Sequence, residues 1–213
     1  MKTLETWTLW VHVAAGVLAV VAGIGALVTA KGRRRHRQVG KIFVVSMGVV
    51  VATVFLLLAV EPTSFRIFLA LVAVFSGYFA FSGYRVLSRK RPADDAAPVD
   101  WLAAVSVVVA CLGLGGWGVA QLAGGTSFGT VLVAFGAIGL VVGGGDLRQF
   151  RATDRGEEWL TAHLSRMLAA FVAAVSAVSA VNLTGTLGFV AWLWPTAVGT
   201  PLIIYWARKY DDR

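Results

Sequence analysis

The sequence predicts an all-α fold: a polytopic membrane protein built as a seven-transmembrane-helix bundle, with the N-terminus outside and the C-terminus cytoplasmic. Three observations carry that prediction. Hydrophobic residues make up 58% of the 213, mean hydropathy is +0.77 and only 14% are charged, a balance foreign to a soluble domain. The apolar residues fall in unbroken runs of about 20, long enough to cross a hydrocarbon core roughly 30 Å thick. Lys and Arg alternate between rich and poor connecting segments, as the positive-inside rule requires of a multi-pass chain.

The runs, all within one transmembrane domain covering 1–213, are 7–30, 39–60, 64–87, 101–123, 128–145, 159–182 and 187–207. The first is too long for the apolar region of a signal peptide and has only Lys2 before it, so it is expected to be retained. The second follows "KGRRRHRQVGK", which holds six cations in eleven residues around His36. The third closes on "FSGYR" and leads into "SRKRPADDAAPVD", a hinge too short and too polar to bury a core. The fourth is apolar throughout, and the fifth is short and glycine-rich. A capping box at "DRGE", Asp154 to Glu157, is expected to start the sixth near Asp154. In the seventh, Pro195 and Pro201 would free backbone carbonyls and bend the helix. None of the runs shows the alternation of a barrel strand.

The cation-rich side holds Lys31, Arg33, Arg34, Arg35, Arg37, Lys41, Arg85, Arg89, Lys90, Arg91, Arg148, Arg151, Arg155, Arg208, Lys209 and Arg213, against Lys2 and Arg66 opposite. Arg166 lies within the sixth run. The net charge of +8 therefore sits at membrane edges, where it anchors topology and contacts anionic lipid. No base-stacking or groove-reading module accompanies it, so nucleic acid is not an expected partner. No internal repeat supports an inverted-repeat transporter; "SGY" recurs only locally, at Ser76 and Ser82. Cys111 is the single cysteine and forms neither a disulfide frame nor a thiolate metal set.

Polar groups at membrane depth are costly and mark functional candidates. His36 and His163 share the cytoplasmic side. His12 lies about 27 Å of helical rise from Ala30 and forms a separate outer-side polar site. It is equally readable as a histidine bonded to a Ser, Thr or carbonyl of a neighbouring helix. His163, Arg166 and Met167 stand at i, i+3 and i+4 and point from one helix face. Gly40 would let another helix approach His36 closely, and Gly16, Gly23 and Gly25 suit tight packing of the first helix. Arg85 and Asp146 complete the candidate ligand or cofactor site, unless Asp146 merely pairs with Arg148 or Arg151 and Arg85 snorkels. The cations around His36 disfavour a further proton on its imidazole, the form suited to a ligand. Trp7, Trp10, Trp101, Trp159, Trp192 and Trp194 read as interface anchors.

"HVAAGVLAVVAG" around His12, "KGRRRHRQVGKIFVVSM" around His36, "FSGYR", "AHLSRMLAAFVAAVSAVSAVN" around His163 and the closing "WLWPTAVGTPLI" resemble, in order and spacing, a family of prokaryotic integral membrane proteins, domain of unknown function 2306. The resemblance implies a multi-pass protein of a prokaryotic plasma membrane. It carries over His12, His36, Arg85, His163, Arg166, Met167 and Asn182, and implies no activity. The residues themselves admit three classes. One is a redox-related or ligand-binding protein with haem b or a quinone at His36 and His163. The second is a zinc-dependent membrane hydrolase, against which stands the lack of a His-x-x-x-His pair. The third is a non-enzymatic sensor, transporter or assembly subunit.

The charge alternation yields a direct test. Reporters active only outside the cytoplasm should be on when fused after Pro62, Gly125 or Thr184 and off after Arg35 or Asp94; equal signals at Asp94 and Gly125 would rule out the seven-span layout.

Overall fold

The structure, a computed structural model, describes residues 2–91, 93–152 and 159–211. Among these it is all-helical: α1 Lys2–Val28, α2 Arg34–Val60, α3 Ser64–Arg85 with a 3-10 turn at Val86–Ser88, α4 Pro98–Ala123, α5 Gly129–Arg151, α6 Trp159–Leu187 and α7 Val190–Asp211. The capping box proposed at Asp154 to Glu157 lies outside the described residues. Six helices, α1 to α6, are long and apolar enough to cross a membrane. α7, diluted by three tryptophans, two prolines and two threonines, is not among them. Large apolar side chains face outward, as at Val17 (58% exposed), Val141 (75%) and Val181 (86%), while Asp100 (2%) and Asp146 (1%) are sealed inside. That inversion of the soluble pattern is compatible with a helical bundle solvated by lipid.

The chain divides into two compact units, Met1–Ala73 and Val74–Arg213, with α3 running from one into the other. In the first, α1 and α2 pack as an antiparallel hairpin whose turn needs the positive φ of Gly32 (76°). The face that α1 buries, Thr8, Ala15, Ala19, Ala22 and Gly23, is made of small residues at helical spacing. Gly25 meets Val39 at ordinary contact distance, whereas no described atom lies within 4 Å of a Cβ built at Gly16 or Gly40. Val54, Ala70 and Ala73 form a local core between α2 and the start of α3.

Both ends of this hairpin are closed by side chains. At the turn, the last carbonyls of α1 lack helical partners, and Lys31 Nζ donates to Ala26 O (2.9 Å) and Leu27 O (2.8 Å). At the other end Arg66 donates to Leu57 O (2.7 Å) of α2 and pairs with Glu5 and, at 3.1 Å, with Glu61. One guanidinium thus ties the start of α1, the end of α2 and the first turn of α3.

In the second unit α4 and α5 pack antiparallel along glycines, which explains the glycine content of the fifth run. A Cβ built at Gly136 would stand 2.8 Å from Gly115 N, one at Gly118 would stand 2.8 Å from Val133 N, and one at Gly143 would stand 2.7 Å from Val107 Cγ1. The close approach leaves no room for a methyl group. Between α6 and α7 the carbonyl that Pro195 leaves without a helical donor is taken up by a side chain. Pro195 has no N–H to offer the carbonyl four residues earlier, Ala191 O; Ser179 Oγ of α6 donates to that oxygen instead (2.7 Å), and Trp194 Nε1 donates in turn to Ser179 Oγ (2.7 Å). Trp192 departs from the interface-anchor expectation: it is 8% exposed and packs edge-on against Phe128.

Two alanine substitutions separate packing from propensity. Gly136→Ala should destabilise the detergent-solubilised protein by about 1–3 kcal/mol through overpacking of α4 against α5. Gly144→Ala, with no atom within 4 Å of the new methyl, should be neutral or stabilising by up to about 1 kcal/mol. Unfolding midpoints of the two variants, read against wild type, check both.

Candidate functional site

The most completely buried charge is Asp146, in the last third of α5. Two elements supply its partners. Arg166 of α6 approaches with both terminal nitrogens, Nη1 to Oδ2 at 2.7 Å and Nη2 to Oδ1, a fork-to-fork ion pair. Tyr78 of α3, itself 5% exposed, donates its hydroxyl to Oδ2. The partners of Asp146 are therefore not its own-helix neighbours Arg148 and Arg151. A carboxylate can accept about four hydrogen bonds, and three are filled here, so the cost of burying it is largely met by geometry rather than by water.

His163 stands one turn into the described part of α6 and donates Nδ1–H to Gly83 O of α3 at 2.7 Å. A carbonyl only accepts, so this bond fixes the proton on Nδ1. It also draws α6 onto α3 where Gly83 has no side chain. A Cβ at Gly83 would lie 3.0 Å from Arg166 Cβ and 3.1 Å from Met167 Sδ. Tyr78, Gly83, Asp146, His163, Arg166 and Met167 therefore converge from three helices. Tyr78 is seven residues before the end of α3 and Arg166 seven after Trp159, which puts the cluster about 10 Å inside the helix ends.

Arg85 turns to Asp100, an acid outside the sequence-based candidates. Its Nε and Nη2 meet Oδ1 and Oδ2 of Asp100 at 2.9 and 3.0 Å. Arg89 Nη1 lies 2.7 Å from Oδ2, an ion-pair contact outside hydrogen-bond alignment. The same carboxylate accepts Ala97 N–H at 2.9 Å, so Asp100 also caps α4, which begins with Pro98. Arg89 and Arg151 add cation–π contacts to Phe150 and Trp101, and Lys90 to Trp159.

The other two histidines belong to the first unit. His12 Nδ1 lies 2.9 Å from Thr53 Oγ1, whose hydroxyl is within 2.8 Å of Val49 O and Val50 O. With the hydroxyl proton directed to either carbonyl, Oγ1 accepts from Nδ1–H, so His12 is bonded to a Thr of the neighbouring helix. His36, in the first turn of α2, donates Nδ1–H to Ala26 O at 3.1 Å. It shares with Lys31 the task of satisfying the end of α1, which is a structural reason for a histidine amid the arginines. Asn182 donates to Val178 O on its own helix. Among the described residues no three of His, Cys, Asp and Glu gather where they could hold a metal ion.

Tyr78, Asp100 and Arg89 were absent from the sequence-based set. A clue to Asp100 is present, an acid two residues after a proline at a helix start; for Tyr78 there is only the "SGY" echo. No protein-family model, no curated protein and no solved structure matches the chain.

The ion pair makes a non-additive prediction. Asp146→Asn leaves the Arg166 guanidinium buried and uncompensated and should cost about 3–5 kcal/mol, whereas Asp146→Asn combined with Arg166→Gln should recover most of it. Tyr78→Phe should cost about 1–3 kcal/mol. A double-mutant cycle by denaturant unfolding in detergent checks this; additive single effects would mean the two charges are not coupled.

Proposed function

We propose that the chain is a multi-pass protein of a prokaryotic plasma membrane in which α7 also spans, with the amino terminus outside, and that it belongs to the membrane family its motifs resemble. We further propose that it binds a small apolar ligand carrying a carbonyl acceptor, of the quinone class, at the Arg166 edge of the Asp146–Arg166–Tyr78 cluster. One observation carries the reading: the Asp146 side chain is 1% exposed while that of Arg166 keeps 14%. The acid is sealed, and the arginine side chain is the more exposed member of the pair.

Charge decides the ligand class. Arg166 has five N–H donors and spends two on Asp146. Because the pair is already neutral, a further anion gains little Coulomb energy there and still has to shed its hydration. A neutral carbonyl accepts a remaining N–H at much smaller desolvation cost. Asp146 and Tyr78 hold the guanidinium plane, Met167 offers a polarisable apolar contact beside it, and His163, fixed through Gly83 O, keeps α6 and α3 together.

The test is ligand recovery. Protein extracted from native membranes in mild detergent should carry a quinone at near-stoichiometric level by mass spectrometry, or take up decylubiquinone when offered. Arg166→Lys, which keeps the charge but loses the planar fork, should reduce occupancy by roughly tenfold (about 1.4 kcal/mol) without unfolding; His12→Ala should leave it unchanged. A wild-type protein that neither carries nor takes up quinone overturns the proposal. A Soret band abolished by His163→Ala would do so in favour of haem.

A further inference from the structure

Five cations of the α1–α2 turn, expected from the sequence to anchor topology and meet anionic lipid in general, take no part in the Asp146 cluster or in closing the hairpin. Arg33, Arg34, Arg35, Arg37 and Lys41 are exposed, and none has a carboxylate partner among the described residues. The sequence offers none nearby, because no Asp or Glu occurs between Glu5 and Glu61. Lys31 and His36 are different: both are committed to α1 carbonyls and hold the turn in one shape. The five remaining cations therefore form a fixed positive surface. Arg34, Arg35 and Arg37 also sit in or beside the first turn of α2, where the helix dipole already favours an anion, and the N-cap residue Arg33 contributes no side-chain acceptor.

The surface next to this patch is apolar. Val28 (79% exposed), Ile42 (43%) and Val45 (66%) face outward on α1 and α2. A ligand matched to both features carries a phosphate on an acyl body. We infer that the α1–α2 turn is a headgroup site for an anionic phospholipid, with the arginine forks on phosphate oxygens and the acyl chains along Val28, Ile42 and Val45. The inference rests on the membrane reading alone and is independent of the quinone proposal, so either can fail without the other.

Native mass spectrometry of the protein released from a non-ionic detergent tests it without depending on how the chain inserts. The probes are dioleoylphosphatidylglycerol, dioleoylphosphatidylcholine and inorganic phosphate. Wild type should retain phosphatidylglycerol at least about tenfold over phosphatidylcholine, with the preference falling as salt rises, and inorganic phosphate should add no bound species. The combined Arg33→Gln, Arg34→Gln, Arg35→Gln and Arg37→Gln variant, with its melting temperature checked against wild type, should drop to less than about threefold. Arg34→Gln with Arg35→Gln, a milder change, should fall between the two. Lys2→Ala, which removes a cation at the opposite end of α1, should keep the preference. Equal retention of both lipids by wild type, or an unchanged preference in the two- and four-arginine variants, overturns the site; retention of inorganic phosphate in place of lipid reassigns it to a free anion and overturns the lipid inference.

Discussion

The need of buried carbonyls and charges within these apolar helices for partners inside the protein is the constraint on which the architecture depends. An unpartnered carbonyl or charge in hydrocarbon costs several kcal/mol, and no water is at hand to offset it. The structure answers with side chains aimed at specific oxygens. Lys31 and His36 close the end of α1, Arg66 closes the end of α2, and Ser179 takes up the carbonyl that Pro195 leaves without a donor. The bonds of His36, Arg66 and Ser179 each join two helices, so satisfying the backbone there also docks them.

The two buried carboxylates follow the same rule with higher stakes. Asp100 and Asp146 are each gripped by arginine from another helix or from the turn beyond it. An ion pair of this kind adds little net stability over an apolar substitute, but breaking one half of it is expensive. Asp146 accepts Tyr78 from α3 and Arg166 from α6, so one carboxylate joins three helices.

Charge is spent differently at the α1–α2 turn. Two of its basic or imidazole groups are used internally, and the rest are exposed with no carboxylate partner among the described residues. The headgroup site inferred above rests on that imbalance beside an apolar exterior.

The sequence by itself determined the helical class and the approximate extent of each element, because a run of about 20 apolar residues in lipid has a single backbone solution. It also marked Arg166 and His163, since ionisable residues inside such runs stand out, Asp146 as an acid just past the fifth run, and Pro195 as a residue that deprives a carbonyl of its helical donor. The pairing was decided by tertiary structure. Nothing in the spacing says that Asp146 reaches twenty residues ahead to Arg166 rather than to Arg148, that Arg85 belongs to Asp100, or that the hydroxyl of Tyr78 and the carbonyl of Gly83 complete the site. Period and composition fix which residues are buried along one helix; which helix faces it, and at what rotation, depends on packing such as the glycine contact of α4 with α5, and that is information no single segment contains.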